Sequence, residues 1–579
     1  MLLREHAARL GLSPEFVILT EEERATLLRQ VCPDLKQAEL ANVLAEISAA
    51  KNKLLGPKDE QPVRSNDFSR SESDGTTEVV TTSRPSYFGE IYRRYETALR
   101  ANDAVDFDDL IVLPIRLLEE NPDVLAAVQT RYRWISVDEY QDVNLAQYRL
   151  LRLLTGGGAN LCVIGDPDQA IYGFRGADHR YFLQFEQDYP GAVMLNLNRN
   201  YRSSQRILDA ASQVIARNPD RKSVDILAEF ADEVKLDIYR APTEKAEAEY
   251  VVHQVEQMVG GISHFSLDSG RTDGAIPAAV RSFADFAVLY RLSALSRPLV
   301  EAFDRSGIPY QTVGLAPLYA HKAVREVLAY LWLLHNPRSR VHLETVLAAG
   351  KPALTVGQFA KLPYDSVDAA LSAAASSTGF SAAQRARLLP LVAFYRELAG
   401  DETGQPVARL IERVRQFAAE RRGGPWSDID AQRLQHLALR AVPFGERLAD
   451  FLEATALQNE TDAYDPRADR VTLLTLHAAK GLEFPVVFIV GCEEGLLPYE
   501  RKGEAVDVEE ERRLFYVGLT RAGQKLVLTH ARKRVLFGQF MENQPSRFVG
   551  DIEAALKEIR MMAYRLPDRK AESGQMSLL

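Results

Sequence analysis

The sequence predicts an α/β protein built on parallel sheets. Short apolar runs of strand length recur along the chain, and amphipathic helical stretches separate them. Strands that alternate with helices pair in parallel, because each helix returns the chain to the same end of the sheet. One long stretch, residues 336–465, has helical periodicity throughout and predicts an all-helical insertion.

The N-terminal part is predicted to be helical. Residues 2–10 place their apolar side chains on one helical face, and Gly11 ends this helix. No N-cap residue or polar lead-in precedes it, so the sequence reads as if it started inside a helix. Residues 21–55 predict further helix. Residues 56–86, rich in Ser, Thr, Asp and Arg, predict a mobile surface loop.

Two α/β blocks follow, the first from about Val105 onward. Its predicted strands are residues 134–137, 161–164 and 193–197. The predicted strands of the second block are residues 286–290, 471–475 and 486–490, so the helical insertion interrupts this block.

Composition excludes several classes of protein. The chain has 579 residues, 46% of them hydrophobic and 26% charged, which is ordinary for globular domains. No apolar run reaches the roughly 20 residues of a membrane helix, and the N-terminus lacks a signal-peptide layout. Cys32, Cys162 and Cys492 lie too far apart for a CxxC metal site, which predicts reduced thiols in a cytoplasmic protein. The net charge of −10 does not exclude nucleic acid, since phosphate affinity depends on local patches.

The first motif with chemical content is DEYQD, where an apolar strand ends in Asp138 and Glu139. Adjacent strand residues point in opposite directions, so these acids can do different work. At the carboxyl edge of a parallel sheet, one carboxylate can hold a hydrated Mg²⁺, and the other can deprotonate water that attacks a phosphate. On its own, the pair is more typical of an ordinary solvated strand end.

A second motif, GDPDQAIYGFRGA, follows the next predicted strand. Its Gln169 offers both a hydrogen-bond donor and an acceptor. The motif ends in an aromatic and basic cluster formed by Tyr172, Phe174 and Arg175. Such rings stack on nucleic-acid bases without regard to sequence, although core packing is the alternative.

Further cations and acids lie in NYRS, TLHAAKGLEF and FYVGLTRA. Arginine forks suit phosphate oxygens, but each segment alone fits a surface ion pair. In their order along the chain, all of these motifs together resemble the superfamily 1 DNA helicases of the UvrD/Rep/PcrA type, from about residue 2 to about residue 550.

The resemblance implies two RecA-like parallel-sheet motor domains, the first incomplete, with helical insertion subdomains. The implied division is a remnant of the first motor domain (1–20), a helical insertion with the mobile loop 56–86 (21–104), the first motor domain (105–196), the second motor domain (197–335 and 466–555), its helical insertion (336–465) and a C-terminal tail (556–579).

The resemblance also implies roles in the hydrolysis of ATP with Mg²⁺. Asp138 matches the acid that holds Mg²⁺ through water, and Glu139 matches the catalytic base. Gln169 matches the glutamine that senses the γ-phosphate. The remaining nucleotide-binding residues by this resemblance are Glu483, which matches the ribose contact, and Arg202 and Arg521, which match the arginines that stabilise the transferred phosphoryl group.

For DNA, the resemblance implies contacts from Tyr172, Phe174, Arg175 and His477. The family often has tryptophan at the position of Phe174, so stacking is expected with a smaller ring. A structural histidine is the alternative for His477. The implied activity is that of an ATP-dependent 3′→5′ helicase or translocase of DNA repair or replication, which steps along single strands and opens duplex junctions.

The chain lacks three motifs of the family: the phosphate-binding loop, the adenine-binding glutamine segment that precedes this loop, and the first DNA-contact motif. The loop GxxGxGK followed by Ser or Thr, which cradles phosphates, is absent, and Gly350-Lys351 is followed by Pro352 instead. For these residues alone we expect feeble ATP binding and no unwinding. One explanation is a truncated or misassigned start of an ordinary helicase. The alternatives are a non-hydrolytic single-stranded-DNA-binding or scaffold protein, or one chain of a split helicase.

The C-terminal pentapeptide QMSLL resembles the peptide by which bacterial replication and repair proteins dock on the sliding clamp. Gln575, Leu578 and Leu579 are the residues expected to bind this partner. The alternative is an apolar terminus without function.

Overall fold

A computed structural model of the chain divides it into two compact units. The first unit comprises Met1–Asp166, Tyr172–Phe185 and Ala316–Asn459, and the second comprises Pro167–Ile171, Glu186–Leu315 and Glu460–Leu579. The residues that the structure describes are 1–57, 84–156, 160–219, 221, 225–230, 234–260, 281–314, 318–349, 366–377, 379–400, 404–457, 464–500 and 506–561.

The first unit is mainly helical. Its helices of eight or more residues are Glu21–Val31, Gln37–Asn52, Arg84–Ala101, Asp109–Glu120, Pro122–Arg131, Leu145–Thr155, Lys322–His335, Arg340–Ala349, Val367–Ser376, Ala382–Gly400, Val407–Arg422, Asp428–Ala441 and Leu448–Ala456. Its strands are β1 (Val17–Ile18), β2 (Ala104–Val105), β3 (Trp134–Val137) and β4 (Asn160–Val163). β1 pairs with β2 and β3 with β4, both in parallel.

One hydrophobic core holds the helices of the first unit together. It joins apolar side chains from residues 3–113 to those of residues 323–456, so the helices of the predicted insertion pack against the N-terminal helices. The fully buried His342 lies in this core, where its Nε2 is 2.8 Å from Glu23 Oε1 and its Nδ1 is 2.7 Å from Ser339 Oγ. This imidazole lowers the pKa of Glu23 against the opposing effect of burial.

The second unit is built on a parallel sheet. Its helices of eight or more residues are Gln205–Ile215, Glu244–Val259, Ser296–Ser306 and Val508–Leu519. Its strands are β5 (Arg199–Asn200), β6 (Leu227–Ala228), β7 (Leu236–Thr243), β8 (Phe286–Tyr290), β9 (Tyr310–Thr312), β10 (Val471–Thr475), β11 (Phe484–Ile489), β12 (Ala522–Leu536), β13 (Gln539–Glu542) and β14 (Lys557–Met561). The main sheet has the order β14-β7-β12-β11-β8-β10-β9, in which all neighbours are parallel.

β8 and β11, which lie next to each other in the middle of this sheet, are apolar along their whole length because both faces are covered. Every residue of β8 is buried, as are most residues of β10 and β11. β13 adds an antiparallel hairpin to β12, and the turn between them uses Phe537 and Gly538 at positive φ. The side chains of Phe537 and Phe540 on this hairpin are exposed.

Several predicted elements need correction. Residues 193–197 form no strand, and Val193, Leu195 and Leu197 are each more than 80% exposed. The predicted strand at residues 161–164 is observed as β4, but its side chains alternate between exposed and half-buried, so it is not a buried strand. The predicted helix at residues 21–55 is two helices, because Pro33 lacks the N–H needed to continue the first.

The N-terminal helix lies in the described part of the chain, whereas most of the predicted loop and of the C-terminal tail does not. The N-terminal helix is a short α-helix, Leu2–Glu5, followed by a 3₁₀ turn that ends at Gly11 with φ of 71°. Residues 58–83 of the predicted loop and residues 562–579 of the tail lie outside the described residues. In the described part of the chain, no helix has both the length and the apolar character required to span a membrane.

Candidate nucleotide and DNA site

The paired acids lie where the sequence predicts, at the end of β3. Asp138 and Glu139 follow Val137 directly, and both side chains are exposed. Glu139 has φ of 52° and ψ of 40°, a left-handed conformation that is uncommon for a residue with a Cβ. The turn is fixed by Asp138 Oδ1, which accepts the Glu139 N–H at 2.9 Å, and by Ile164 O, which accepts the Tyr140 N–H at 2.9 Å.

The helix that follows is held in place by its own cap. Asn144 Oδ1 accepts the backbone N–H of Gln147 at 2.9 Å, and Gln147 Oε1 accepts the backbone N–H of Asn144 at 3.0 Å. Asn144 Nδ2 also donates to Asn52 Oδ1 at 2.8 Å. The segment between β3 and helix Leu145–Thr155 is therefore anchored at both ends.

Gln141 is a residue that sequence reasoning missed. Its side chain is fully buried, and its Nε2 donates to Glu139 Oε2 at 2.5 Å. Its Oε1 accepts the backbone N–H of Asp166 at 3.1 Å. Gly165 makes this packing possible, since a Cβ there would lie 2.4 Å from Gln141 Oε1. Gln141 is part of the DEYQD motif, but the motif does not show which groups its amide binds. Only the tertiary structure shows that the amide turns back toward Glu139.

The aromatic and basic cluster of the first unit is exposed. Phe174 is 65% exposed, and the guanidinium carbon of Arg175 lies 5.5 Å from the Tyr172 ring centroid and 5.6 Å from that of Phe174. Nearby, the Arg180 guanidinium binds Asp178 and holds the pKa of that carboxyl below its usual value. Asp178 therefore neutralises Arg180, whereas the Arg175 guanidinium lies over the rings.

Gln169 lies in the second unit, and the residues that contact it, Lys480 and Arg521, are more than 300 residues away in the sequence. Its Oε1 accepts a hydrogen bond from Arg521 Nη2 at 3.2 Å, and its backbone carbonyl accepts one from Lys480 Nζ at 2.9 Å. Arg513 Nε donates to the next carbonyl, that of Ala170, at 2.8 Å. Arg521 is buried, and its guanidinium also donates to backbone carbonyls of the same unit.

The other predicted nucleotide residues of the second unit form an ion pair. Arg202 Nε lies 2.6 Å from Glu483 Oε2, and Arg202 Nη1 donates to the carbonyl of Thr520 at 3.4 Å. Ser203 Oγ donates to the carbonyl of Ala522 at 2.7 Å. These bonds bring NYRS together with GLEF and LTRA, although Arg202 and Glu483 are 281 residues apart in sequence.

His477 is half-buried in the turn that follows β10. Its backbone carbonyl accepts the Lys480 N–H at 3.2 Å. Lys480, which sequence reasoning also missed, reaches from this turn to Gln169. The structure thus groups Gln169, Arg202, Glu483 and Arg521 within the second unit. Asp138 and Glu139 lie in the first unit, which also holds the aromatic and basic cluster of Tyr172, Phe174 and Arg175. Gln575, Leu578 and Leu579 lie outside the described residues.

The donor set at the end of β3 fits a divalent cation held through water. Both carboxylates are open to solvent, and carboxylate oxygens are the ligands that Mg²⁺ prefers. One oxygen of Asp138 accepts the Glu139 N–H, and an ionised carboxylate has further lone pairs that can accept from the waters of a hydrated ion. In the second unit, two guanidinium groups and a carboxylate provide the chemistry needed for phosphate and ribose.

Comparison with known proteins identifies the family of the chain. The family model "UvrD/REP helicase N-terminal domain" matches residues 1–190, and "UvrD-like helicase C-terminal domain" matches residues 195–378 and 400–533. A solved structure of the C-terminal domain of a possible DNA helicase from Lactobacillus plantarum shares 12% identity over 62% of this chain and 98% of that chain. Its TM-score of 0.23 is too low to bear on the fold.

Curated relatives match nearly the whole chain. The "ATP-dependent DNA helicase PcrA" of Leuconostoc citreum is 35% identical over 96% of this chain and 74% of its own length. The proteins of the same name from Staphylococcus epidermidis and Staphylococcus aureus are 34% and 33% identical, over 95% and 96% of this chain and 74% and 75% of their own lengths. The chain therefore belongs to the UvrD/Rep family of ATP-hydrolysing DNA helicases, and among them to the PcrA-like proteins.

Proposed function

We propose that this protein is an ATP-driven 3′→5′ translocase and helicase that acts on single-stranded DNA and duplex junctions during DNA repair or replication. The observation that carries the proposal is the convergence of predicted nucleotide residues in the second unit. Arg521 reaches Gln169 at 3.2 Å, and Arg202 reaches both Glu483 and the carbonyl of Thr520, the residue before Arg521. The two arginines therefore join motif residues that lie 352 and 281 residues apart in the sequence.

In the proposed reaction, Glu139 accepts a proton from the water that attacks the γ-phosphate. Arg202 and Arg521 stabilise the charge that develops on the transferred phosphoryl group, and Gln169 reports its presence. Asp138 would hold Mg²⁺ through water, and the ion would neutralise phosphate charge. Glu483 would bind the ribose, for which its exposed carboxylate is placed beside Arg202.

Hydrolysis by the native protein tests this assignment. We expect ATP hydrolysis that single-stranded DNA stimulates, and we expect Glu139→Gln to lower kcat by at least about 100-fold, the lower end of the range for losing a general base. Binding of an oligonucleotide should stay within about twofold of the unaltered protein, because the substitution leaves the aromatic and basic cluster unchanged and the glutamine oxygen can still accept from Gln141. Unchanged hydrolysis in this variant would contradict the proposal.

The alternatives predict different results. A non-hydrolytic DNA-binding or scaffold protein binds single strands equally with and without ATP, and Glu139→Gln changes nothing. The expectation of a longer native polypeptide, or of a second chain that carries the phosphate-binding loop, stays a proposal. Intact mass spectrometry of the native protein separates these cases, because the sequence printed here corresponds to 64.7 kDa.

The DNA assignment can be tested through the exposed ring. Phe174→Ala should weaken binding of single-stranded DNA by about 1–3 kcal/mol, the usual value of one base stacked on an aromatic side chain, and Phe174→Trp should preserve binding. Phe230→Ala is the matched control, because Phe230 is also exposed but lies outside the cluster. Equal effects of both alanine variants would contradict the assignment. Oligonucleotides with a single-stranded tail at only the 3′ or only the 5′ end test the direction.

The tail is proposed to dock on the sliding clamp through Gln575, Leu578 and Leu579. The support is the resemblance of QMSLL to clamp-binding peptides, at the end of a polar stretch. We expect deletion of residues 575–579 to abolish retention on immobilised clamp and to leave DNA binding unchanged. Unchanged retention would contradict this assignment.

A further inference from the structure

The turn that carries Glu139 is strained and needs support. A left-handed φ of 52° is unfavourable for a residue with a side chain, and such conformations persist only where surrounding bonds hold them. The Glu139 backbone is held by Asp138 Oδ1 and by the Asp142 N–H, which donates to Glu139 O at 2.9 Å. These bonds fix the backbone of the turn, and they do not involve the Glu139 carboxylate.

The carboxylate is fixed by Gln141. A carboxylate only accepts hydrogen bonds and a backbone N–H only donates, so the Gln141 amide has one orientation that satisfies both partners. Its NH₂ group faces Glu139 Oε2 at 2.5 Å and its oxygen faces the Asp166 N–H at 3.1 Å. The amide cannot move freely, because it is fully buried and packs against Gly165.

Asp166 is the point where the chain leaves the first unit. The next five residues, Pro167–Ile171, belong to the second unit, in which Lys480, Arg513 and Arg521 donate to Gln169 and Ala170. One buried amide therefore connects the carboxylate of Glu139 to the backbone that continues directly into the Gln169 segment.

We propose that Gln141 is a positioning residue for hydrolysis, which orients the Glu139 carboxylate by tying it to the backbone at Asp166. This inference rests on the proposed function, since it assigns a partner to the proposed catalytic base. A positioning residue changes the alignment of the base with the attacking water but makes no contact with ATP or DNA. Its loss should therefore lower kcat and leave binding of both ligands intact.

Two variants of Gln141 separate its two hydrogen bonds. Gln141→Glu keeps the oxygen that accepts from Asp166 but places a carboxylate against Glu139 in place of the donor. Gln141→Met has similar length and removes both bonds. The matched control is Gln147→Glu, because Gln147 lies on the neighbouring helix and its cap needs only an accepting oxygen, which glutamate supplies.

We expect both Gln141 variants to lower kcat for DNA-stimulated ATP hydrolysis by at least about tenfold, with KM for ATP and Kd for single-stranded DNA within about twofold. Gln147→Glu should match the unaltered protein. Hydrogen exchange gives a readout independent of hydrolysis: the Asp166 amide should stay protected in Gln141→Glu and exchange at least about tenfold faster in Gln141→Met.

The outcomes distinguish this inference from the proposed function. If Glu139→Gln abolishes hydrolysis and Gln141→Glu has normal kcat, the positioning role is wrong and the proposed function stands. If both Gln141 variants lower kcat and also raise KM for ATP and Kd for single-stranded DNA, Gln141 supports the structure of the whole site rather than the position of Glu139, and the inference is wrong. If the unaltered native protein does not hydrolyse ATP, the proposed function and this inference both fail. An Asp166 amide that exchanges equally fast in all three proteins would also overturn the inference.

Discussion

Arg202 and Arg521, the two arginines predicted to stabilise the transferred phosphoryl group, differ in burial, and the consequence of this difference can be measured. Arg202 is partly exposed and bound to Glu483, whereas Arg521 is buried among backbone carbonyls. We expect Arg202→Ala and Arg521→Ala each to lower kcat by about 1,000-fold or more, as arginine fingers do. Only Arg521→Ala should also lower the free energy of unfolding, by about 1–3 kcal/mol, because it leaves buried acceptors without a donor.

Urea unfolding and ATP hydrolysis, measured on the same samples, check this separation. If the free energy of unfolding falls equally in both variants, the buried contacts of Arg521 do not stabilise the fold more than those of Arg202. Normal hydrolysis in either variant would remove that arginine from the reaction.

A single buried carboxyl should make stability depend on pH. Burial raises the pKa of Glu344 to about 8, and the charge of Arg340 offsets this only in part. The folded chain then holds a proton that the unfolded chain releases, so stability falls as pH rises from the ordinary value of 4.5 to about 8 and stays low above it. We expect Glu344→Gln to raise the unfolding free energy by about 1–3 kcal/mol near pH 9 and to have no effect near pH 4.

Unfolding measured at both pH values tests this sign, and Glu420→Gln, at an exposed position, is the control. A stabilisation that is equal at the two pH values would contradict the assignment to this carboxyl. The side chain is not completely buried, so the expected magnitude is below what the full pKa shift would give.

At the scale of single residues, the motifs predict roles for Asp138, Glu139, Arg202 and Arg521, and these roles stay predictions. The structure gives the positions of these residues near the ends of strands and helices. Gln141 and Lys480 could not be assigned, because their partners, Asp166 and Gln169, lie 25 and 311 residues away in sequence. Hydrogen bonds over such separations depend on tertiary structure, and a local pattern does not encode them.

At the scale of secondary-structure elements, one buried ion cluster joins the helices of the first unit. Lys51 Nζ lies 2.7 Å from Asp109 Oδ1, 2.9 Å from Asp106 Oδ2 and 2.7 Å from Glu96 Oε1. Burial alone would lower the pKa of Lys51, but these carboxylates outweigh it and raise the pKa well above its usual value. The ammonium occupies the position that a metal ion would take among the three acids.

Removal of this ammonium should be costly. We expect Lys51→Met to lower the free energy of unfolding by about 3–5 kcal/mol, because it leaves buried carboxylates without a counter-ion. Lys53→Met, at an exposed position two residues later, should stay within about 0.5 kcal/mol. Equal small effects in denaturant unfolding would show that water or a cation replaces Lys51.

The apolar runs of the sequence predict strands in both units, but the structure does not form a strand at every one of them. The three strands predicted for the second unit are observed, two with the predicted bounds and the third, predicted at 486–490, as β11 at Phe484–Ile489. Continuous apolar runs of this kind are typical of a parallel sheet covered on both faces. Residues 193–197 have the same apolar character but form no strand, and their side chains are exposed. An apolar run predicts a strand only if neighbouring strands and helices are present to pair with it and cover it.

At the scale of the whole molecule, the net charge of −10 and the binding of DNA have to be reconciled. Charges screen each other within about 10 Å at ordinary salt, so binding depends on the cations that lie at the DNA contacts. For single-stranded DNA, each neutralised phosphate contributes about −0.7 to the slope of log affinity against log salt concentration. We therefore expect a clearly negative slope despite the acidic chain.

Arg175 should contribute to this slope the share of one neutralised phosphate, about −0.7. Among the described residues no carboxylate forms an ion pair with it, so its charge remains available to a phosphate. Arg175→Ala should make the slope shallower by about 0.7, while Arg116→Ala, which removes an exposed arginine paired with Glu120, should leave it unchanged. Fluorescence titrations of an oligonucleotide over a range of salt concentrations measure both slopes. A slope near zero in the unaltered protein would mean that stacking alone holds the DNA, and an equal change in both variants would mean that the overall charge of the chain, rather than this cluster, governs binding.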